Sequence, residues 1–300
     1  MNPAALDQLR RFGQYQAKER RLSPHTSSNY ARDLKALVRY CDRQDIADWA
    51  VLDHAQVRLF AARSHAGGLA PRSVQRRLSA VRSFLNFLIR EGLVNRNCAL
   101  DVRAPKGQRR LPVTLDADTM ARLLEIPADE PLATRDRAIM ELLYSSGLRL
   151  AELVGLNLQD LNGADRTVRV LGKGSKTRVI PVGRQALSAI TAWLKQRLAL
   201  VRDDSQALFV GTTGRRLGAR AIQKRVGYWA LRQGLPMHVH PHLFRHSFAS
   251  HLLESSGELR GVQELLGHAD IATTQVYTHL DFQHLARIYD ATHPRARKKA

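Results

Sequence analysis

The spacing of apolar residues limits how this 300-residue chain can fold more than any other feature of its sequence. Over most of the chain, apolar residues recur every three or four positions, which is the period of an amphipathic helix. In the first ninety residues, Ser23 and Pro24 are typical of an N-cap followed by the first helical position, and Pro71 begins another apolar repeat. The pattern predicts a compact unit of four helices over residues 6–20, 24–41, 56–66 and 71–89.

A second domain is predicted after a basic linker. The helical period fades over residues 95–112, where prolines, a glycine and basic residues predict a linker between domains at 1–94 and 113–300. Helices are expected near residues 116–125 and 134–145, and from about 220 onward.

A small antiparallel sheet is predicted within this helical domain. Residues 166–183 contain two β-rich runs around a Gly-Lys-Gly-Ser turn, which indicates a hairpin with Lys173 at its tip. A short strand at 208–210 is expected to join the same sheet. The predicted fold class is therefore mainly α with a small antiparallel β-sheet, in two domains.

The charge balance indicates a polyanionic partner. Lys and Arg number 47 against 27 Asp and Glu, a formal net charge of +20, while 44% of the residues are hydrophobic. A strongly basic chain with an ordinary core is typical of nucleic-acid-binding proteins. Arginines on the polar side of the helix at 71–89, and two basic residues beside the hairpin, are predicted to contact DNA phosphates: Arg72, Arg76, Arg77, Arg82, Lys176 and Arg178.

The two cysteines, Cys41 and Cys98, have neither disulfide nor metal-ligand spacing and are expected to be core residues. The sequence contains no run of about 18 apolar residues that would predict a membrane span. These features favour a reducing, cytoplasmic location without membrane insertion.

Several polar residues interrupt the apolar pattern of the second domain. Arg149 follows Gly147-Leu148 at the start of an apolar helix, where an ion pair with Glu152 is the ordinary explanation. His242 and Arg245 are three residues apart, on one face of a helix that begins at Pro241 and packs through Phe244, Phe248 and Leu252. His268 follows a helix-ending glycine, and Tyr277 lies nine residues further on.

Together these residues resemble a known family. Five features resemble the tyrosine recombinase (integrase) family, and they extend across the whole second domain. They are the HxxR spacing, the LLGH motif, the tyrosine nine residues after it, the GLRLAEL motif and the GKGSK turn. The first domain resembles the family's helical, SAM-like core-binding domain. The segment LLGHADIATTQVYTHLDFQHLARIYDATHPRA is similar to the C-terminus of the bacterial Xer subfamily. Phe244 stands where the family usually has leucine, a change expected to affect packing only.

The resemblance implies a metal-independent DNA strand transferase without a cofactor. Two guanidinium groups can stabilise the charge that develops on an attacked phosphate, and a neutral histidine can accept the proton of an attacking phenol. The resemblance implies that Tyr277 is the nucleophile and that it forms a 3′-phosphotyrosine intermediate. It also implies that the two domains form a clamp around duplex DNA. The implied catalytic residues are Arg149, Lys173, His242, Arg245, His268 and Tyr277.

The resemblance also implies partners and a biological role. Members of the Xer subfamily convert chromosome dimers to monomers at dif-type sites, so double-stranded DNA, a heterotetramer with two copies of XerD, and activation by the translocase FtsK are expected. The segment after Tyr277 is expected to dock into a neighbouring protomer.

Three alternatives remain open. His242 and His246 belong to a cluster of five histidines that could bind a metal, although Pro241 interrupts it. A DNA-binding accessory protein without catalysis would suit the basic first domain but has no need of Tyr277 or Lys173. A phage or transposon integrase would share the chemistry and differ in its target sites.

Overall fold

The chain divides into two compact units, Met1–Arg110 and Leu111–Ala300, and each has a hydrophobic core of its own. The computed structural model describes residues 1–20, 24–107, 114–127, 129–172, 177–202, 206–235 and 237–256. The mainly helical two-domain fold with a small antiparallel sheet is confirmed.

The first unit contains the four predicted helices. They are α1 (Pro3–Lys18), α2 (Pro24–Asp42), α3 (His54–Ala66) and α4 (Pro71–Arg90), with a short 3-10 helix at Trp49–Val51. Helix α1 begins earlier than predicted because the Asn2 side chain accepts a hydrogen bond from the Ala5 N–H (2.7 Å).

Aromatic rings fill the core of the first unit. The ring of Phe84 packs against Phe12 and Trp49, with centroid separations of 5.3 and 5.0 Å. Cys41 and Cys98 are free and buried, as predicted. Burial, aided by the negative charge of Asp42, raises the pKa of the Cys41 thiol to about 11, so this thiol is protonated at neutral pH.

The second unit is built around one buried helix. Its helices are α5 (Ala117–Leu124), α6 (Pro131–Ser146), α7 (Leu150–Gly155), α8 (Arg184–Arg197), α9 (Ala219–Arg232) and α10 (Pro241–Ser256). Helix α6 packs against α8 and α10, and almost every residue from Ala133 to Ser146 is buried. The predicted helices do not include α8, although Ala186, Ala189, Ile190 and Trp193 have helical spacing and form its buried face.

The sheet has three antiparallel strands in the order β1 (Leu161–Asn162), β2 (Thr167–Leu171) and β3 (Thr177–Pro181). Strands β2 and β3 are the arms of the predicted hairpin, which is confirmed. The prediction that residues 208–210 join this sheet is wrong, since the three strands of the sheet are β1, β2 and β3. Leu208 instead donates its N–H to the Leu156 carbonyl, and Val210 forms a bridge with Arg216.

Residues 257–300, which include the predicted C-terminal helix and docking tail, lie outside the described residues. In the ranges that are described, no helix is both long enough and apolar enough to cross a membrane.

Candidate active site

A left-handed glycine places Arg149 at the start of α7. Helix α6 ends at Ser146, and Gly147 adopts φ +56°, a conformation that glycine tolerates and other L-residues disfavour. A Cβ atom at Gly147 would lie only 2.5 Å from Cδ1 of Phe248. The turn therefore packs directly on α10, and Arg149 becomes the N-cap residue of α7, as the sequence predicts.

Helix α10 brings the second arginine to the same turn. Phe244, Phe248 and Leu252 are completely buried, which confirms the predicted core face of this helix. Arg245 lies on another face and donates from Nη1 to the carbonyl oxygen of Gly147 (2.6 Å). This bond fixes α10 against the turn that leads to Arg149.

Arg245 is a partly buried cation beside another cation. Burial lowers the pKa of Arg245 to about 10, and the charges of Arg149 and Arg178 add to this effect while Glu152 opposes it. The guanidinium remains charged at neutral pH. A partly desolvated pair of cations of this kind is suited to an anionic ligand such as a phosphate.

His242 lies in the first turn of α10, near the two arginines. The pKa of His242 is lowered by partial removal of water from the ring and by the nearby groups His246, Arg245 and Arg149. The neutral imidazole is therefore the favoured form near pH 7, and a neutral imidazole can accept a proton.

The carboxylate of Glu152 accepts hydrogen bonds from two arginines. Arg149 donates its backbone N–H to Oε2 (2.9 Å) and its Nη1 to Oε1 (3.0 Å), so the ion pair expected for Arg149 is present. Arg178 donates Nη1 to Oε1 and Nη2 to Oε2, both at 2.9 Å. Burial by itself would raise the pKa of Glu152, but the hydrogen bonds from Arg178 and Arg149 outweigh it and the pKa is lowered.

Arg178, which the sequence predicts as a phosphate contact, binds a carboxylate of its own chain in the structure. Both of its terminal nitrogens bind Glu152, and its side chain is only 11% exposed. The signal in the sequence is the alternation along β3, which puts Arg178 on the same face as the buried Ile180. The ion pair of Glu152 with Arg149 is expected from their spacing, but no local pattern indicates that Glu152 also binds Arg178 on β3.

Four predicted site residues lie outside the described residues. Their roles stay predictions, and they are Lys173, Lys176, His268 and Tyr277.

The four arginines of α4 that are predicted to contact DNA phosphates are not equivalent surface residues. Arg76 makes two hydrogen bonds to the buried Asp33, and Arg77 donates to Ser64 and lies over the ring of Phe60. Arg82 donates to the carbonyl oxygens of Ala99 (2.9 Å) and Val102. These three side chains stabilise the first unit, whereas Arg72 is exposed. The DNA contact predicted for Arg72 therefore needs no rearrangement of the fold.

The histidine cluster does not assemble as a metal site. The rings of His238, His240 and His242 succeed one another at centroid separations of 6.0 and 6.2 Å. His251 is buried elsewhere on α10, with Nδ1 2.8 Å from the hydroxyl oxygen of Tyr144. Among the described residues, no group of three or more His, Cys, Asp or Glu side chains could hold a metal ion.

Comparison with known sequences matches both units of the chain. Residues 113–284 match the phage integrase family, and residues 9–92 match the phage integrase N-terminal SAM-like domain. The tyrosine recombinase XerC of Pseudomonas fluorescens is 55% identical over 292 residues, which cover 97% of each chain. The tyrosine recombinase XerC of Salmonella typhi is 52% identical over 288 residues, which cover 96% of each.

Solved structures share the fold. The Tn1549 transposon integrase in complex with transposon right end DNA has a TM-score of 0.72 at 18% identity, covering 92% of this chain and 97% of that one. The XerH site-specific recombinase bound to a palindromic difH substrate has a TM-score of 0.71 at 23% identity, covering 96% and 86%. The chain belongs to the phage integrase family and is a tyrosine recombinase, a site-specific DNA recombinase similar to XerC over nearly its whole length.

Proposed function

We propose that this recombinase cuts one DNA strand with Tyr277 at a site formed by Arg149, Arg245 and His242, and rejoins it to another strand. The observation that carries the proposal is the convergence of the two arginines. Arg245 is held by the Gly147 carbonyl, two residues before Arg149, and burial together with the nearby charge of Arg149 lowers the pKa of Arg245. Two neighbouring guanidiniums match the non-bridging oxygens of one phosphodiester.

The chemistry follows from the charges that develop on that phosphate. When the Tyr277 oxygen attacks phosphorus, negative charge increases on the non-bridging oxygens, and Arg149 and Arg245 stabilise it by bidentate hydrogen bonds. Tyrosine has a pKa of about 10, so the phenol must lose its proton as it attacks, and the neutral imidazole of His242 accepts it. By resemblance to the family, Lys173 protonates the departing 5′-oxygen and His268 donates a hydrogen bond to the phosphate.

The intermediate conserves the phosphodiester energy. The bond from phosphorus to the 5′-oxygen breaks as the bond to Tyr277 forms, which leaves a 3′-phosphotyrosine and a free 5′-hydroxyl. A 5′-hydroxyl of another strand attacks this intermediate and releases Tyr277. The scheme requires no ATP, nucleotide cofactor or metal ion.

The target and partners are proposed from the relatives. Identity above 50% with proteins named XerC supports action at a dif-type site on double-stranded DNA, in the cytoplasm, to convert chromosome dimers to monomers. In this proposal two copies of the chain act with two copies of XerD. The translocase FtsK activates the complex, and the segment after Tyr277 docks into a neighbouring protomer.

Each domain has a separate task in this proposal. Residues 1–94 form the core-binding domain, 95–112 the linker and 113–300 the catalytic domain, and the two domains close around the duplex. Arg72, exposed on α4, and Lys176 beside the hairpin are phosphate contacts. Contacts of this kind make DNA affinity fall steeply with salt concentration.

A nicked DNA duplex tests the reaction. A nick close to the cleavage point lets the short 5′-hydroxyl fragment diffuse away, so religation fails and covalent protein–DNA adduct accumulates. We expect an adduct with the unsubstituted chain, with or without EDTA, and none with Tyr277→Phe, which should still bind the DNA. An adduct from Tyr277→Phe would refute the assignment of the nucleophile, and loss of the adduct in EDTA would favour a metal-dependent reaction.

A further inference from the structure

We propose that Arg178 is a positioning residue for Arg149, acting through Glu152, rather than a direct contact to DNA. The inference rests on the proposed function, because it concerns how Arg149 is kept available to the scissile phosphate. Arg178 donates to both oxygens of Glu152, and both oxygens also accept from Arg149.

The strand register explains why Arg178 has this partner. Arg178 lies opposite the buried Val170 in the β2–β3 ladder, and it shares a strand face with the buried Ile180. An arginine on the inner face of a strand needs an anionic partner because an unpaired buried charge is costly. The side chain of Glu152 is 4% exposed, so the two charges are removed from water together.

The geometry gives the two arginines different tasks. The fork of Arg178 binds the two oxygens of Glu152 side by side, which fixes the plane of the carboxylate. Arg149 contacts the same carboxylate through its backbone N–H and one guanidinium nitrogen, and its side chain is 38% exposed. The carboxylate held by Arg178 thus aligns Arg149 while part of its guanidinium stays accessible.

The charges around Glu152 also support a positioning role for Arg178. Three guanidiniums influence this carboxylate: Arg149 on α7, Arg178 on β3 and Arg245 on α10. Without Arg178, the carboxylate of Glu152 would rely on Arg149 and would compete with a phosphate for it. Arg178 therefore supplies two hydrogen bonds to the carboxylate, so Arg149 is not its only cationic partner.

Single substitutions separate positioning from DNA contact. For Arg178→Gln at saturating nicked duplex, we expect the rate constant of adduct formation to fall about 100-fold, as for a small displacement of a catalytic group. The affinity for the duplex should be unchanged. Arg178→Lys keeps the charge but lacks the fork, so its rate should lie between those of the unsubstituted chain and Arg178→Gln. Arg169→Gln, on the neighbouring strand in an exposed pair with Asp160, is the matched control and should keep the normal rate.

A double substitution tests the route through Glu152. Replacing Glu152 with glutamine in the Arg178→Gln chain removes the unsatisfied carboxylate, and the rate should recover about tenfold relative to Arg178→Gln. A residue that served only to stabilise the fold would change the melting temperature without this recovery at saturating DNA.

The outcomes decide between the explanations. Weaker DNA binding with a normal rate at saturation would make Arg178 a phosphate contact and overturn the inference, as would a normal rate and affinity together. If Arg178→Gln fails to fold, Arg178→Lys decides, and a normal rate for that variant would overturn the inference. Absence of adduct from the unsubstituted chain would instead refute the proposed function itself.

Discussion

Replacing Gly147 with alanine should destabilise the second unit strongly. The residue adopts φ +56°, and the left-handed conformation costs an L-residue roughly 1–2 kcal/mol. The added Cβ would lie 2.5 Å from Cδ1 and 2.9 Å from Cε1 of Phe248, a fully buried ring that fills the core. Overpacking of this kind costs about 1–3 kcal/mol, so the total is about 2–5 kcal/mol.

Thermal unfolding followed by circular dichroism measures this effect. For a unit of this size, each kcal/mol lowers the melting temperature by about 2–4 °C, so we expect a decrease of about 4–20 °C. Gly155→Ala is the matched control, because no heavy atom lies within 4 Å of a Cβ at that helical position. Alanine there should leave the melting temperature unchanged or raise it slightly.

A Gly147→Ala chain that melts within about 2 °C of the unsubstituted chain would refute this reasoning. A cost of only about 1 kcal/mol would already lower the melting temperature by about 2–4 °C. A shift smaller than that would mean that Phe248 moves aside at no cost and that the turn accepts a side chain. The carbonyl of Gly147 also accepts the hydrogen bond from Arg245, so the predicted strain acts on the same turn that aligns the two arginines.

Two further predictions concern buried and titrating groups. Asp136 is 1% exposed and binds Arg135, Arg225 and the Trp229 indole, so Asp136→Asn should lower the free energy of unfolding by about 3–5 kcal/mol. In urea titrations, Asp7→Asn, which breaks only the exposed pair with Arg10, should lower it by less than ~1 kcal/mol, and equal losses would contradict this reasoning. The pKa of His242 is lowered in the folded state, chiefly by partial burial of the ring. The unfolded chain therefore binds a proton at His242 more readily than the folded chain does. As the pH drops from about 6.5 toward the lower folded pKa, His242 should reduce the stability of the fold. His242→Gln should weaken that dependence, and an unchanged pH profile would show that His242 does not contribute to it.

Local sequence patterns predict much of the fold, because the start and end of a helix and its buried face depend on residues that are close together in the chain. The helix starts at Pro24, Pro71 and Pro241 are confirmed, and so is the end of α6 at a left-handed glycine. The apolar spacing of α10 predicts that Phe244, Phe248 and Leu252 lie in the core, with His242 and Arg245 outside that buried face.

Contacts between residues that are distant in sequence could not be predicted from local patterns. Arg178 binds Glu152 across 26 positions, and Arg82 binds backbone carbonyls 17 and 20 positions away. Leu208 and Val210 are apolar residues of the kind found in strands, and both are completely buried, but they do not pair with the sheet. Composition reports burial, whereas pairing depends on which edge of the sheet is already occupied.

Mapping the protein–DNA adduct by mass spectrometry tests directly whether Tyr277 is the nucleophile. The adduct formed on a nicked duplex would be digested with protease and nuclease, and the peptide that carries the nucleotide would be sequenced. We expect a single modified peptide, with a nucleotide attached through its 3′-phosphate to the oxygen of Tyr277. A nucleotide attached to another residue, or attached through its 5′-phosphate, would contradict it.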